Sequence, residues 1–125
     1  MSVVLDTDIV IEILRERNPL IFSAWSDLVN SGSPILCTPA VVAEVWAGAR
    51  PREHRLIDSF FEQIICLESD EETGKIAGDL LHKYARSHNL EVLDAMIAAA
   101  AIQHRSELWT RNRKHYPMPQ ITFYS

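Results

Sequence analysis

A short apolar run near the N-terminus, Val3–Leu5, is cut off by Asp6 and leads at once into a helical pattern. A run of this kind predicts a buried strand. Further short apolar runs lie at residues 35–37, 64–67 and 108–110, each after a helical pattern. A last apolar run covers residues 121–124. Strands that alternate with helices indicate parallel pairing with helices on both faces of the sheet. The sequence therefore predicts an α/β fold, a three-layer α/β/α sandwich with a mostly parallel sheet of four or five strands.

Helical spacing covers residues 8–17, 20–29, 40–48, 52–63, 70–87 and 92–104. Asn18-Pro19 and Thr38-Pro39 each place a capping residue before a proline, which is typical of a helix start. Asn89 follows the fifth helix, where it is a suitable residue to end it. Length and composition fit this arrangement, because 125 residues with 47% hydrophobic content are enough for one domain with its own core. We expect a single domain over residues 1–125.

Charge and apolar content narrow the function classes. The net charge is −5, which argues against non-specific adhesion to nucleic acid, so a polyanionic substrate would need a local basic patch or a bound cation. No apolar run approaches the roughly 20 residues that span a bilayer, and no basic lead precedes the first one. We expect a cytoplasmic protein with no membrane contact. Cys37 and Cys66 each lie in an apolar run and are expected to be small buried side chains in a reducing compartment.

Asp6 follows the first predicted strand. Ligands of open α/β sheets bind beyond the carboxyl ends of the strands, which would put the Asp6 carboxylate at a functional edge. Asp6 or Asp8 would equally well cap the next helix, because Asp is a good N-cap. Both interpretations stand on this segment alone.

Two further acids lie in apolar helices. Glu44 is the only charged residue between Pro39 and Ala49, and a carboxylate in such a helix costs several kcal/mol unless it is paired or bound to a metal. A salt bridge to Arg50 is the structural alternative to function. Asp94 opens an Ala-rich helix, where the helix dipole alone would stabilise it; Glu91, just before it, is expected in solvent.

The segment Thr110-Arg111-Asn112 follows a strand as Asp6 does, so the two strand ends are expected to lie side by side. Asn112 is otherwise an ordinary turn residue. Acids brought together at this edge repel one another unless a cation neutralises them. Oxygen ligands suit Mg²⁺ or Mn²⁺ rather than zinc, and such a site can activate water against a phosphodiester.

A basic stretch accompanies the fourth predicted strand. Between His104 and His115 there are four cations against the single acid Glu107, namely Arg105, Arg111, Arg113 and Lys114. This excess would hold a phosphate backbone, although a solvated charged loop is the simpler interpretation.

Four segments together resemble a known family: Leu5-Asp6-Thr7-Asp8, Glu44 in its apolar helix, residues 93–99 and residues 108–116. Their order and spread are similar to those of PIN-domain ribonucleases that act as toxins in prokaryotic toxin–antitoxin pairs, the VapC family. The resemblance implies an endoribonuclease dependent on Mg²⁺ or Mn²⁺, with Asp6, Glu44 and Asp94 as metal ligands and Asn112 beside them as a catalytic residue. It also implies an RNA substrate, a homodimer and a small antitoxin that neutralises the toxin.

Two positions depart from the family pattern. Asp8 stands where the family commonly has Asn or Ser, and it would bind a water of the ion or cap the helix. The fourth position, often Asp in the family, is Asn112 or His115 here, which leaves open whether one or two metal ions bind. The aromatic residues Trp25, Trp46, Phe60 and Phe61 are candidates for a partner groove, with core packing as the alternative.

Two other functions remain. A PIN-like module that binds RNA or protein without cleaving would explain the departures at Asp8 and Asn112. Residues 6–10 also satisfy the D-x-D-x-[TV] pattern of haloacid-dehalogenase-like phosphatases, in which the first Asp attacks phosphate. That chemistry normally also needs a later acidic pair, and no adjacent Asp-Asp exists in the sequence.

Overall fold

The computed structural model describes residues 1–125 and contains one four-stranded sheet. The strands are β1 (Val3–Leu5), β2 (Ile35–Cys37), β3 (Ile65–Cys66) and β4 (Glu107–Trp109), in the order β3-β2-β1-β4. Every neighbouring pair is parallel. The prediction of a three-layer α/β/α fold with a parallel sheet is therefore confirmed.

Six α-helices connect and cover the strands: α1 (Thr7–Arg15), α2 (Pro19–Ser31), α3 (Pro39–Ala47), α4 (His54–Glu62), α5 (Glu71–His88) and α6 (Val92–Gln103). Short 3₁₀ helices lie at Pro51–Glu53 and Arg113–His115. Helix α1 packs on α2, α3 and α4, whereas α5 packs along α6. None of these helices is long and apolar enough to cross a membrane.

The helix boundaries follow the capping chemistry of the sequence. The side chains of Asn18 and Thr38 accept hydrogen bonds from backbone N–H groups in the first turns of α2 and α3, and proline occupies the first helical position of both. Helix α1 ends two residues earlier than the pattern predicts, because Glu16 takes the left-handed conformation at φ 52°. Asn89 ends α5 in the same way, at φ 53°.

The core is one cluster that joins the sheet to the helices. Helix α6 lies deep within it, and its alanines at positions 95, 98, 99 and 101 are at most 1% exposed. Small side chains on α6 allow the close approach of α5 and β1, which both contact it. The rings of Trp25 and Phe60 pack 5.4 Å apart in the same core, whereas Trp46 and Phe61 are half-buried beside it.

The structure differs from the sequence-based prediction at two strands. Residues 121–124 form a single parallel bridge, Leu108 to Phe123, rather than a full strand. Strand β3 is a two-residue edge strand whose side chains are exposed, so the prediction that Cys66 is buried is wrong. Only Cys37, on the inner strand β2, is buried.

Candidate active site

The carboxyl ends of β1 and β4 meet at one edge of the sheet. Leu5 is in register with Trp109, so the next residues, Asp6 and Thr110, lie side by side. The backbone N–H of Asp6 donates to the carbonyl of Trp109 over 2.9 Å and extends the pairing by one residue. The adjacency expected from the sequence is therefore present.

Asp6 is only 7% exposed, and both of its carboxylate oxygens accept hydrogen bonds. Its Oδ1 accepts from the backbone N–H of Thr7 over 2.7 Å, which makes Asp6 the N-cap of α1. Its Oδ2 accepts from the Thr110 hydroxyl over 2.7 Å and from the Tyr116 hydroxyl over 2.9 Å. The two interpretations of Asp6 are therefore compatible, because the helix cap also faces the sheet edge.

Tyr116 is a site residue that the sequence reasoning missed. It follows the 3₁₀ helix Arg113–His115, it is 2% exposed, and its hydroxyl lies between Asp6 and Asp94. Burial and then the charges of the two acids raise the pKa of Tyr116, which keeps the phenol protonated and able to donate. The available signal was a tyrosine at the end of the polar stretch after β4.

Asp94 lies in the first turn of α6, and its side chain is 25% exposed. Its Oδ1 is 3.5 Å from the Tyr116 hydroxyl, and its Oδ2 is 3.7 Å from Nδ1 of His115. Burial, followed by repulsion from Asp6, raises the pKa of Asp94. The N-cap of α6 is Glu91, not Asp94, so the position of Asp94 is not explained by capping.

Glu44 reaches the same edge from α3, but its environment differs from the prediction. The residue is exposed rather than buried in an apolar surrounding, and its Oε1 accepts from the Thr7 hydroxyl over 2.7 Å. The expected cost of a buried charge is absent because this face of α3 opens on a groove. The alternative salt bridge to Arg50 is not formed; the Arg50 backbone instead bonds to Glu53.

The side chain of Asp8 forms a hydrogen bond with the loop after β4. Its Oδ2 accepts from the backbone N–H of Arg111 over 3.0 Å, whereas its buried Oδ1 has no hydrogen-bond partner. Burial and the neighbouring Asp6 carboxylate raise the pKa of Asp8 to about 6. Asp8 does not cap α1, since Asp6 occupies that position.

These side chains line one open groove of about 330 Å³. The lining residues are Asp6, Thr7, Asp8, Ile11, Glu44, Glu91, Asp94, Asn112 and His115. Asn112 is exposed at the rim, and its backbone N–H donates to the Thr110 hydroxyl over 3.0 Å. The structure thus brings Asp6, Glu44, Asp94 and Asn112 to the same groove.

The groove offers ligands that suit a hard divalent cation, since the carboxylates of Asp6, Asp8, Glu44 and Asp94 all line it. The Oδ1 of Asp8 has no hydrogen-bond partner, and burial followed by repulsion from Asp6 raises the pKa of Asp94. No three acidic, histidine or cysteine side chains are already close enough together to form a ready metal site. The residues therefore fit a cation in the type of ligand that they supply.

Two of the basic side chains predicted to bind phosphate, Arg111 and Arg113, already contact other side chains. Arg111 forms an ion pair with Glu12 over 3.3 Å, and the Arg113 guanidinium lies 4.9 Å from the centre of the Phe123 ring. Lys114 is exposed and forms no ion pair. The predicted basic patch is therefore accessible at Lys114, and Arg111 is available to an anion that displaces Glu12.

Comparisons with known proteins identify the family of this chain. The sequence family model of the PIN domain matches residues 3–120 of this chain. Ribonuclease VapC19 of Mycobacterium tuberculosis is 32% identical over 115 residues, which cover 91% of each chain. Ribonuclease VapC10 of the same organism is 28% identical over 117 residues, or 93% of this chain and 86% of the relative.

A solved structure supports the same fold. VapBC2 from Rickettsia felis, bound to a DNA fragment from its promoter, superposes with a TM-score of 0.81 and 20% identity, covering 99% of this chain and 98% of that one. At this identity the likeness concerns the fold alone. With the family model spanning nearly all of the chain, the protein belongs to the PIN domain family.

Proposed function

We propose that the protein is a single-domain, metal-dependent endoribonuclease that acts as the toxin of a toxin–antitoxin pair. The observation that carries the proposal is the meeting of Asp6, Glu44 and Asp94 in one groove at the carboxyl edge of the sheet. The curated relatives are named ribonucleases, and VapC enzymes with a PIN domain generally depend on divalent metals. An enzyme that acts on cellular RNA would work in the cytoplasm.

Asp6, Asp94 and Glu44 are the residues that would hold Mg²⁺ or Mn²⁺. A bound cation of this kind lowers the pKa of a water molecule and stabilises charge on a phosphodiester oxygen. The protein contributes a carboxylate fixed in place, because three hydrogen bonds hold Asp6. Glu44 and Asp94 are more accessible and able to adjust to the ion and the substrate.

The other groove residues serve the substrate. Asn112 stands at the rim with an exposed amide, a group that donates hydrogen bonds to phosphate oxygens. His115 lies beside Asp94 and would carry positive charge toward the same phosphates when protonated. Lys114 and Arg111 would extend this contact along the RNA backbone, which offsets the acidic character of the chain as a whole.

An antitoxin is the proposed protein partner. VapBC complexes from Rickettsia felis and Salmonella typhimurium share this fold. A groove of about 170 Å³ between α1, α2 and α4 offers an apolar surface for a partner segment, with Trp25 and Phe60 among its lining residues. Phe22 and Leu56 are exposed in the same groove, and Leu56 is 54% exposed.

A homodimer is the proposed assembly, as the resemblance implies. Exposed apolar side chains at the start of α6, Val92 at 61% and Leu93 at 40%, support a contact between two copies there. Sedimentation velocity of the protein without antitoxin tests this part. A monomer at micromolar concentration would contradict it.

The phosphatase alternative is disfavoured by the family of the chain. The PIN domain family model matches residues 3–120, and the sequence has no adjacent Asp-Asp pair, which the phosphatase chemistry normally includes. Hydrolysis of p-nitrophenyl phosphate that Asp8→Ala abolishes and Glu44→Ala spares would favour the phosphatase.

The proposed activity is tested with protein purified free of antitoxin. Labelled tRNA and structured RNA are incubated with it in Mg²⁺, in Mn²⁺ and in EDTA. We expect discrete cleavage products with either cation and intact RNA in EDTA. RNA that is bound but left intact in Mn²⁺ would instead favour a non-catalytic PIN-like module.

A further inference from the structure

We propose that Tyr116 is a positioning residue that fixes the Asp6 carboxylate against Asp94 and thereby sets the affinity of the groove for a divalent cation. The inference rests on the proposed function and assigns a role to a hydroxyl group outside the predicted ligand set. Its basis is the position of that hydroxyl between two acids, Asp6 just after β1 and Asp94 on α6.

The hydroxyl has a single hydrogen atom, and the geometry directs it to Asp6. The distance from the Tyr116 oxygen to Asp6 Oδ2 is 2.9 Å, whereas the distance to Asp94 Oδ1 is 3.5 Å, at the limit of hydrogen bonding. Tyr116 therefore donates to Asp6, and its oxygen atom stands between the two carboxylates.

The two carboxylate oxygens of Asp6 accept different numbers of hydrogen bonds. Oδ2 accepts from both Thr110 and Tyr116, which occupies its two lone-pair directions. Oδ1 accepts only from the Thr7 backbone and retains a free direction. Tyr116 thus helps to hold Oδ2 and leaves Oδ1 as the oxygen available to a cation.

Tyr116 itself is well fixed. It is 2% exposed, and its backbone N–H donates to the carbonyl of Arg113 over 3.0 Å. A donor that cannot move prevents Asp6 from rotating away from Asp94 under their mutual repulsion. Mutation of a residue that hydrogen-bonds to a metal ligand typically weakens metal affinity by about 10–100-fold.

Tyr124 supplies a matched control. It is a half-buried tyrosine whose ring packs 5.1 Å from Trp109, and its hydroxyl donates to no acidic side chain. Tyr116→Phe and Tyr124→Phe therefore remove the same atom from the same residue type near the same strand. Only the first change removes a contact with the acids.

The test measures Mn²⁺ binding by isothermal titration calorimetry, with circular dichroism melting curves to identify the temperature at which each variant is folded. We expect Tyr116→Phe to raise the Kd for Mn²⁺ about tenfold, and Tyr124→Phe to leave it within about twofold of the wild-type value. RNA cleavage by Tyr116→Phe should fall at low Mn²⁺ and recover when Mn²⁺ is raised about tenfold. A purely structural role would not produce that recovery.

A folded Tyr116→Phe variant that binds Mn²⁺ as tightly as the wild type would overturn the inference alone. So would a loss of cleavage that added Mn²⁺ does not restore. A wild-type protein that binds no Mn²⁺ and leaves RNA intact would contradict the proposed function as well.

Discussion

The hydroxyl of Thr7 donates to Oε1 of Glu44 over 2.7 Å and joins the first turn of α1 to the middle of α3. It is the one hydrogen bond of the Glu44 side chain, which otherwise faces the groove. Glu44 is thus aimed at Asp6 and Asp94 by a neighbour of Asp6, without being buried.

Glu44→Gln is expected to separate function from stability. Because the side chain is exposed and Gln keeps an oxygen for Thr7, the free energy of unfolding should change by less than about 0.5 kcal/mol. RNA cleavage should fall by about 100-fold or more, since a charged ligand is lost. Urea unfolding and initial cleavage rates check the two halves. A large loss of stability with cleavage unchanged would support a structural role instead.

Thr110→Val is expected to destabilise the fold. The change removes the donor to Asp6 Oδ2 and the acceptor of the Asn112 N–H in one step, at a site that is 7% exposed. Loss of a partner from a buried charged group costs about 1–3 kcal/mol. Thr110→Ser keeps the hydroxyl and is the control in the same urea unfolding series. Equal stability of the two variants would show that the hydroxyl is unimportant.

Asp8→Asn is expected to stabilise the protein at neutral pH. The pKa of Asp8 is raised to about 6, so between about pH 4 and pH 6 the folded chain keeps a proton that the unfolded chain has lost. Stability from this group therefore falls as the pH rises through that window. Asn still accepts from Arg111 without the charge, which should add on the order of 1 kcal/mol at pH 7 after allowance for solvent screening.

Urea unfolding of wild type and Asp8→Asn in EDTA, at pH 4 and at pH 7, measures this difference. The gain should be present at pH 7 and nearly absent at pH 4. A variant that is less stable than the wild type at pH 7 would mean that the Asp8 charge is compensated in the folded protein.

The two cysteines should differ sharply in reactivity. Cys66 is exposed on the edge strand, whereas Cys37 is buried, and burial followed by the neighbouring Cys66 raises the pKa of Cys37 to about 12. The thiolate is the reactive form, so one thiol per folded chain should react with a disulfide reagent at pH 8, and two after denaturation. Cys66→Ser should abolish the fast reaction. Fast labelling that remains in this variant would place the exposed thiol at Cys37.

Much of the site was predictable from local patterns. Apolar runs that alternate with helical spacing require parallel strands, and parallel strands bring their carboxyl ends to one edge, which is why Asp6 and Thr110 are neighbours. Asp94 could be expected there as an acid that opens an otherwise apolar helix. The resemblance to a family added the order of these residues along the chain.

Other features depend on tertiary contacts that spacing does not encode. Tyr116 reaches Asp6 across 110 positions only because the loop after β4 folds back over the sheet edge. The exposure of Glu44 and Cys66 was mispredicted for one reason: an apolar neighbourhood in sequence does not show which face of a helix or which edge of a sheet remains open.

The most direct test of the proposed site compares Asp94→Asn with Asp79→Asn. Asp79 is an exposed acid on α5 that pairs with Lys83, so it controls for a loss of charge away from the groove. Cleavage of labelled RNA is measured in Mn²⁺ for both variants and the wild type, with EDTA as the reference. We predict a rate at least about 100-fold lower for Asp94→Asn, a wild-type rate for Asp79→Asn and no cleavage in EDTA. Cleavage that persists in EDTA, or that survives Asp94→Asn at the full rate, would contradict the metal-dependent mechanism.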